Sequence, residues 1–271
     1  MNNFKSALLN LPPVVKNLLI INALMYLGTW VLQQTGTDLT RILGLYFFES
    51  EHFMPFQYVT HMFMHGGFYH LLFNMFALFM FGRVLESVWG PKRFLIYYML
   101  TGLGAAALHT FVLWLDYSSV MSAFTAFSNT PTPELFSALI KDTLSSPAAW
   151  VYEFSDKWAD NPDSIAYANQ GIQIARQAIT ASINGVTIGA SGAVFGILLA
   201  FGMLFPNTEL MLLFPPIPIK AKYFVIGYGA LELYSGFMNS TDGIAHFAHL
   251  GGMLFGFILI KYWQKHSNRF Y

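Results

Sequence analysis

The chain has 271 residues, 55% of them apolar and only 10% charged, with a mean hydropathy of +0.48. A soluble domain carries about 25% charged residues, so this composition belongs in a bilayer rather than in water. Formal net charge is zero and cysteine is absent, which excludes a disulfide framework and thiolate chemistry and leaves no basic stripe or phosphate-cradling glycine loop for nucleic acid.

Taken in chain order, six apolar stretches predict spans at about 14–32, 68–85, 94–115, 190–205, 223–237 and 244–263, within a single all-α membrane domain covering 1–271. The first stretch has a long apolar core with no small-residue cleavage pattern after it, and reads as a retained span rather than a signal peptide. The fourth, Ala190–Phe205, has 16 residues. That is roughly 24 Å of helix against a hydrocarbon core of about 30 Å. It is expected to start below the membrane surface, fed by a loop that dips in at a protein-lined edge.

With an even number of spans both termini share one side. That side collects Lys5, Lys16, Arg83, Lys92, Arg93, Lys220, Lys222, Lys261, Lys265 and Arg269, against Arg41, Lys141, Lys157 and Arg176 on the other. The bias predicts cytoplasmic termini, with the start of the fourth span opening outward. The compact inner-side termini make a bacterial inner membrane the default location.

Residues 116–188 hold seven acidic residues and prolines at 131, 133, 147 and 162. Thr132 is the expected cap of a helix whose first turn contains Pro133. From Asp163 on, Ile165, Ala168, Ile172, Ala175 and Ile179 have helical apolar spacing. The segment is expected to form two or three amphipathic helices near the outer membrane surface, with Trp150, Phe154 and Trp158 at the interface. It serves either as a lipid-resting insertion or as a lid or docking element.

Polar groups inside a membrane are expensive and mark function by default. Gly189-Ala190-Ser191-Gly192 places an accessible hydroxyl at the start of an apolar helix, where unpaired backbone N–H groups can stabilise an anion. Taken alone, it is the small-residue patch of any tightly packed span. The second span opens with His61, His65, His70 and Asn74, the last two on one helix face. The last span carries His246, His249, Gly252 and Gly256. Its glycine face is expected to pack on that of Gly192 and Gly196, which brings His249 toward Ser191 and supplies a base for a weak nucleophile. The chemistry is then acyl transfer, with the Ser191 N–H, the Asn74 amide and a His70 ring N–H as oxyanion donors. No membrane-span Asp or Glu stands in an obvious place to orient His249. Packing is the expected orienter, with Phe195, one turn below Ser191, against the imidazole.

On these residues the chain resembles the rhomboid family of intramembrane serine proteases. The pieces are His61, His65 and H-x-x-x-N at His70 and Asn74, then G-x-S-G at Gly189–Gly192, then H-x-x-G-x-x-x-G at His249, Gly252 and Gly256. The resemblance implies a six-transmembrane-helix rhomboid bundle with a long extracytoplasmic insertion between helices three and four. It implies Ser191 as nucleophile, His249 as base, His70 and Asn74 in the oxyanion site and Glu86 as a structural glutamate. It further implies single-span membrane proteins as substrates in the lipid bilayer, and no cofactor or metal. Two departures stand out. Phe56-Gln57 replaces a Trp-Arg pair in the first outer loop, and Phe195 stands where many relatives have Tyr. His246, one turn before His249, is either a polar lining residue or a modifier of its charge.

Other classes remain open. One is an inactive rhomboid-like protein that binds membrane clients. Another is a membrane metal or haem protein ligated by His61, His65, His70, His246 and His249, although no H-E-x-x-H motif or thiolate supports it. A transporter is a third, for which Glu232, the one acidic residue well inside a span, is the main argument.

Overall fold

The computed structural model describes residues 11–144, 146–211, 216–238 and 245–266. Lys5 and Arg269 of the charge pattern, and Ile244 at the expected start of the last span, lie outside them. The described residues are mostly helical. In order they form α1 (Pro13–Gln33), α2 (Leu39–Leu43), α3 (Gln57–Thr60), a 3-10 turn (His61–Phe63), α4 (Phe68–Trp89) and α5 (Pro91–Asn129). These are followed by α6 (Pro133–Thr143), α7 (Ala149–Ala159), α8 (Ile165–Ile183), α9 (Ser191–Leu204), α10 (Ala221–Phe237) and α11 (His246–His266). Strands β1 (Glu209–Met211) and β2 (Pro218–Lys220) pair antiparallel as a small hairpin before α10. By length and composition α1, α4 and α5 can each cross a membrane, and α9 is a shorter apolar helix.

The chain divides into two compact units, one holding Met54–His109, the residues up to Leu45 and those from Val186 onward, the other Tyr46–Phe53 and Thr110–Gly185. In the first, α9 is the central element. Almost every one of its side chains is apolar, so no face is suited to water, and eleven of its fourteen residues are buried. Ala193, Ile197, Ala200 and Leu204 pack with Val15 and Leu18 of α1, Leu78 and Leu85 of α4, and Phe94 and Tyr97 of α5. The outer faces are apolar as well. On α1, Ile20, Leu24, Leu27, Trp30 and Val31 are exposed, as a lipid-facing surface requires.

Small residues let the helix backbones meet. A Cβ on Gly252 of α11 would collide with the carbonyl of Gly192 on α9, so the two helices touch backbone to backbone at that level. The expected pairing does not extend to the next turn. There Gly196 and Gly256 both face α5, against Thr101 and the Tyr97 hydroxyl, and that hydroxyl donates to the Gly196 carbonyl at 2.8 Å.

Glu86, buried in the last turn of α4, takes the backbone N–H groups of Val14 and Val15 at 2.9 and 2.7 Å. These are among the first N–H groups of α1, which have no intrahelical partner. Pro13 at the first helical position has no N–H to satisfy. The glutamate therefore caps one span from another.

The second unit corrects two expectations. Helix α5 does not stop near 115. Asp116 to Asn129 contain no breaker, and the helix runs on until Thr130-Pro131, where the proline disfavours helical backbone before it. Thr132 then caps α6 with Pro133 next, as the sequence predicts, and Ser164 caps α8. Phe154 and Trp158 are buried rather than exposed to an interface. They join Phe127, Phe136, Ile140 and Ile174 in an aromatic core of this unit, with Gly171 making room for the Trp158 ring, while Trp150 is exposed.

Two stability predictions follow from the helix contacts. Glu86→Ala leaves two N–H groups at a helix end without a partner and should cost about 2–4 kcal/mol, measured by unfolding of the detergent-solubilised protein. Gly252→Ala should cost about 1–3 kcal/mol and Gly252→Val more. Gly28→Ala, where nothing lies within 4 Å, is the control and should leave the thermal midpoint unchanged.

Candidate active site

The approach to Ser191 is fixed by backbone pairing. Thr187 exchanges both backbone hydrogen bonds with Leu45, at 2.8 and 2.9 Å, and the Gly189 N–H donates to the His61 carbonyl at 2.9 Å. Gly189 then turns the chain with φ +126°, a conformation that L side chains rarely adopt. A second reason also requires glycine there. A Cβ would lie 2.7 Å from His70 Nε2 and 3.7 Å from Ser191 Oγ, so the missing side chain leaves the imidazole and the hydroxyl facing one point. Helix α9 starts at Ser191, which puts its N–H among the unpaired donors at the positive end of the helix dipole.

His249 sits in the first turn of α11, directly before the glycine contact. Its Nε2 is 2.8 Å from Ser191 Oγ. Phe195 stacks on the imidazole with ring centroids 4.2 Å apart and planes 8° from parallel, and Tyr228 of α10 packs behind Phe195 at 4.9 Å. A packed orienter is therefore present, but it does not act alone. Glu232 of α10 places Oε2 2.9 Å from His249 Nδ1 and 2.6 Å from His246 Nδ1. This corrects the expectation that no acidic residue stands by the histidine. A carboxylate oxygen only accepts, so both Nδ1 atoms donate. His249 Nε2 is then the free acceptor, and the Ser191 hydroxyl is its donor.

From α4, His70 faces the serine across Gly189. His70 Nδ1 accepts the Gly66 N–H at 3.3 Å, which leaves its Nε2 as the hydrogen-bearing nitrogen, the one beside Gly189. Buried Asn74 donates one amide hydrogen to the His70 carbonyl at 2.8 Å, and its amide nitrogen has a second hydrogen to give. His65 packs edge-on to His70, rings 5.1 Å apart. Its burial, and after that the nearby His70, holds it down at about 4, so it stays neutral at physiological pH. A cavity of about 20 Å³ beside Ser191 is lined by His61, Thr187, Gly189 and Ala245, among others. That is the size of one water molecule.

The five histidines do not converge as one ligand set. His61 Nδ1 bonds the Gln57 carbonyl at 2.8 Å, His65 and His70 pack on each other, and His246 and His249 share Glu232. Among the described residues, the one group that brings three such ligand atoms together is Glu232, His246 and His249, within 4.8 Å of one another. The acid was visible in the sequence as a lone charge in an apolar stretch. Its partners, on the next helix, were not readable from spacing along one segment.

The Rhomboid domain family matches residues 52–128 and 165–265, more than half of the chain. Over 211 residues the chain is 25% identical to "Rhomboid protein 1, mitochondrial" of Saccharomyces cerevisiae, covering 76% of this chain and 42% of that protein. The chain thus spans less than half the length of this curated relative. Rhomboid proteins are usually serine intramembrane proteases, and the apolar helices agree with an integral membrane protein. The chain belongs to the rhomboid family.

Proposed function

We propose that this protein is an intramembrane serine endopeptidase working through Ser191 and His249. The observation that carries the reading is the 2.8 Å contact between Ser191 Oγ and His249 Nε2, made across two helices held together by glycine. A hydroxyl is a poor nucleophile until a base takes its proton. Here Nε2 accepts that proton as Oγ attacks a peptide carbonyl. The tetrahedral oxyanion is held by the Ser191 N–H, by His70 Nε2–H and by the Asn74 amide. The imidazolium then protonates the leaving amine, and the acyl-enzyme is hydrolysed by a water activated through the same nitrogen.

The substrates are single-span membrane proteins. A hydrogen-bonded helix shields its carbonyls, so spans that contain helix-breaking or small residues near the cut are preferred. The lysine and arginine bias supports termini on the cytoplasmic side and the start of α9 toward the opposite face. An inactive, client-binding relative would have no need of a serine and a histidine in hydrogen-bonding register.

The test is cleavage of a model single-span substrate by the purified protein in detergent. Ser191→Ala should abolish turnover, and His249→Ala should reduce kcat by at least about 10³-fold. Asn74→Ala should reduce it by about 10²–10³-fold, the usual effect of losing one oxyanion donor. Cleavage by Ser191→Ala at the wild-type rate sinks the mechanism.

A further inference from the structure

We propose that Glu232 is a positioning carboxylate for His249, so that the site operates as a Ser191–His249–Glu232 triad with His246 as a second donor to the same carboxylate. This rests on the reading of Ser191 and His249 as nucleophile and base. Glu232, His246 and His249 are 4%, 7% and 8% exposed, so the three groups are removed from solvent together. Burying a carboxylate is costly unless it is well hydrogen-bonded, and one oxygen of Glu232 takes two N–H donors at 2.6 and 2.9 Å. The three residues come from two helices. Glu232 lies in the last half of α10, and the histidines stand three apart at the start of α11, where i and i+3 share a face.

The chemical consequence is specific. With Nδ1–H donated to Glu232, His249 is held in the one neutral tautomer whose Nε2 can accept the Ser191 proton. When that proton moves from Oγ to Nε2, the imidazolium forms against a fixed negative charge, and Nδ1 keeps its hydrogen throughout. Phe195 sets the plane of the ring by stacking, and Glu232 sets its rotation within that plane. His246 donates to the same oxygen, which keeps Oε2 from turning away.

Two other uses of the cluster make different demands. Ligands on a tetrahedral zinc at about 2.0–2.1 Å stand about 3.3 Å apart, whereas the two nitrogens here lie at hydrogen-bonding distance from Oε2. A metal on His249 Nδ1 would also leave the hydrogen on Nε2 and remove the base. A plain strut between α10 and α11 would affect folding but not turnover per folded molecule.

The experiment compares the wild type, Glu232→Gln, Glu232→Asp and Ser191→Ala as full-length proteins in detergent, with a model single-span substrate and with thermal midpoints measured in parallel. Glu232→Gln can still accept the Nδ1 hydrogen through its amide oxygen but has no charge and can present its NH₂ instead. The expected result is a kcat lowered by about 10- to 10³-fold, within the roughly 10⁴-fold seen when a triad carboxylate becomes an amide. KM should stay within about twofold, and Glu232→Asp should recover at least about tenfold in kcat over Gln. Equal kcat for Asp and Gln, or a Gln variant that matches wild type while Ser191→Ala is dead, overturns the triad and leaves the dyad standing. Activity lost on chelation and restored by zinc overturns it as well. Activity retained by Ser191→Ala overturns the protease reading beneath it.

Discussion

A Cβ on residue 252 has nowhere to go, because the carbonyl of Gly192 fills that place. This contact, on which the rest of the site depends, joins α9 and α11 at the level where one presents Ser191 and the other His249. In a bilayer there is little hydrophobic force to bring two apolar helices together, since lipid tails are as apolar as leucine, so close backbone packing has to do it. Any larger residue at 252 would set the helices apart and lengthen a hydrogen bond that is 2.8 Å. Fold and chemistry meet in that one contact.

Around it, several buried polar groups of the same unit have partners that give them a defined task. Glu86 satisfies the first free N–H groups of α1 from the last turn of α4. Tyr97 ties α5 to the Gly196 carbonyl one turn below the serine. Gly189 serves twice, through its positive φ and through the space it leaves between His70 and Ser191. The site is therefore assembled from four helices, α4, α9, α10 and α11, and from a short extended segment pinned to Leu45. Such preorganised donors and a fixed base need no rearrangement when charge develops.

What could be read from the sequence depended on whether the signal was local. Ser191 between glycines, His70 four before Asn74, and His249 three before Gly252 are short local patterns, and the structure brings Ser191, His70 and His249 together with Asn74 on the His70 carbonyl. The Phe195 contact was also legible, as a ring one turn from the serine. Glu232 was not, because its meaning lies in the distance to another helix, and along the chain it is an isolated charge among apolar residues. In the second unit, composition misled. Phe154 and Trp158 resemble an interfacial belt on paper, but they pack with Phe127 and Phe136 into a core of their own. The end of α5 was missed for a similar reason. Loss of hydrophobicity after Leu115 marks a change of surroundings rather than a helix stop, and the stop comes only at Pro131.

The central claim is that the buried geometry makes one serine among many nucleophilic, with His249 as its base. Treating the folded protein with a fluorophosphonate and mapping the adduct by peptide mass spectrometry tests it most directly. The account predicts a single adduct on Ser191 that disappears in His249→Ala and after heat unfolding. Modification elsewhere with Ser191 untouched, or undiminished labelling of Ser191 in His249→Ala, would contradict it.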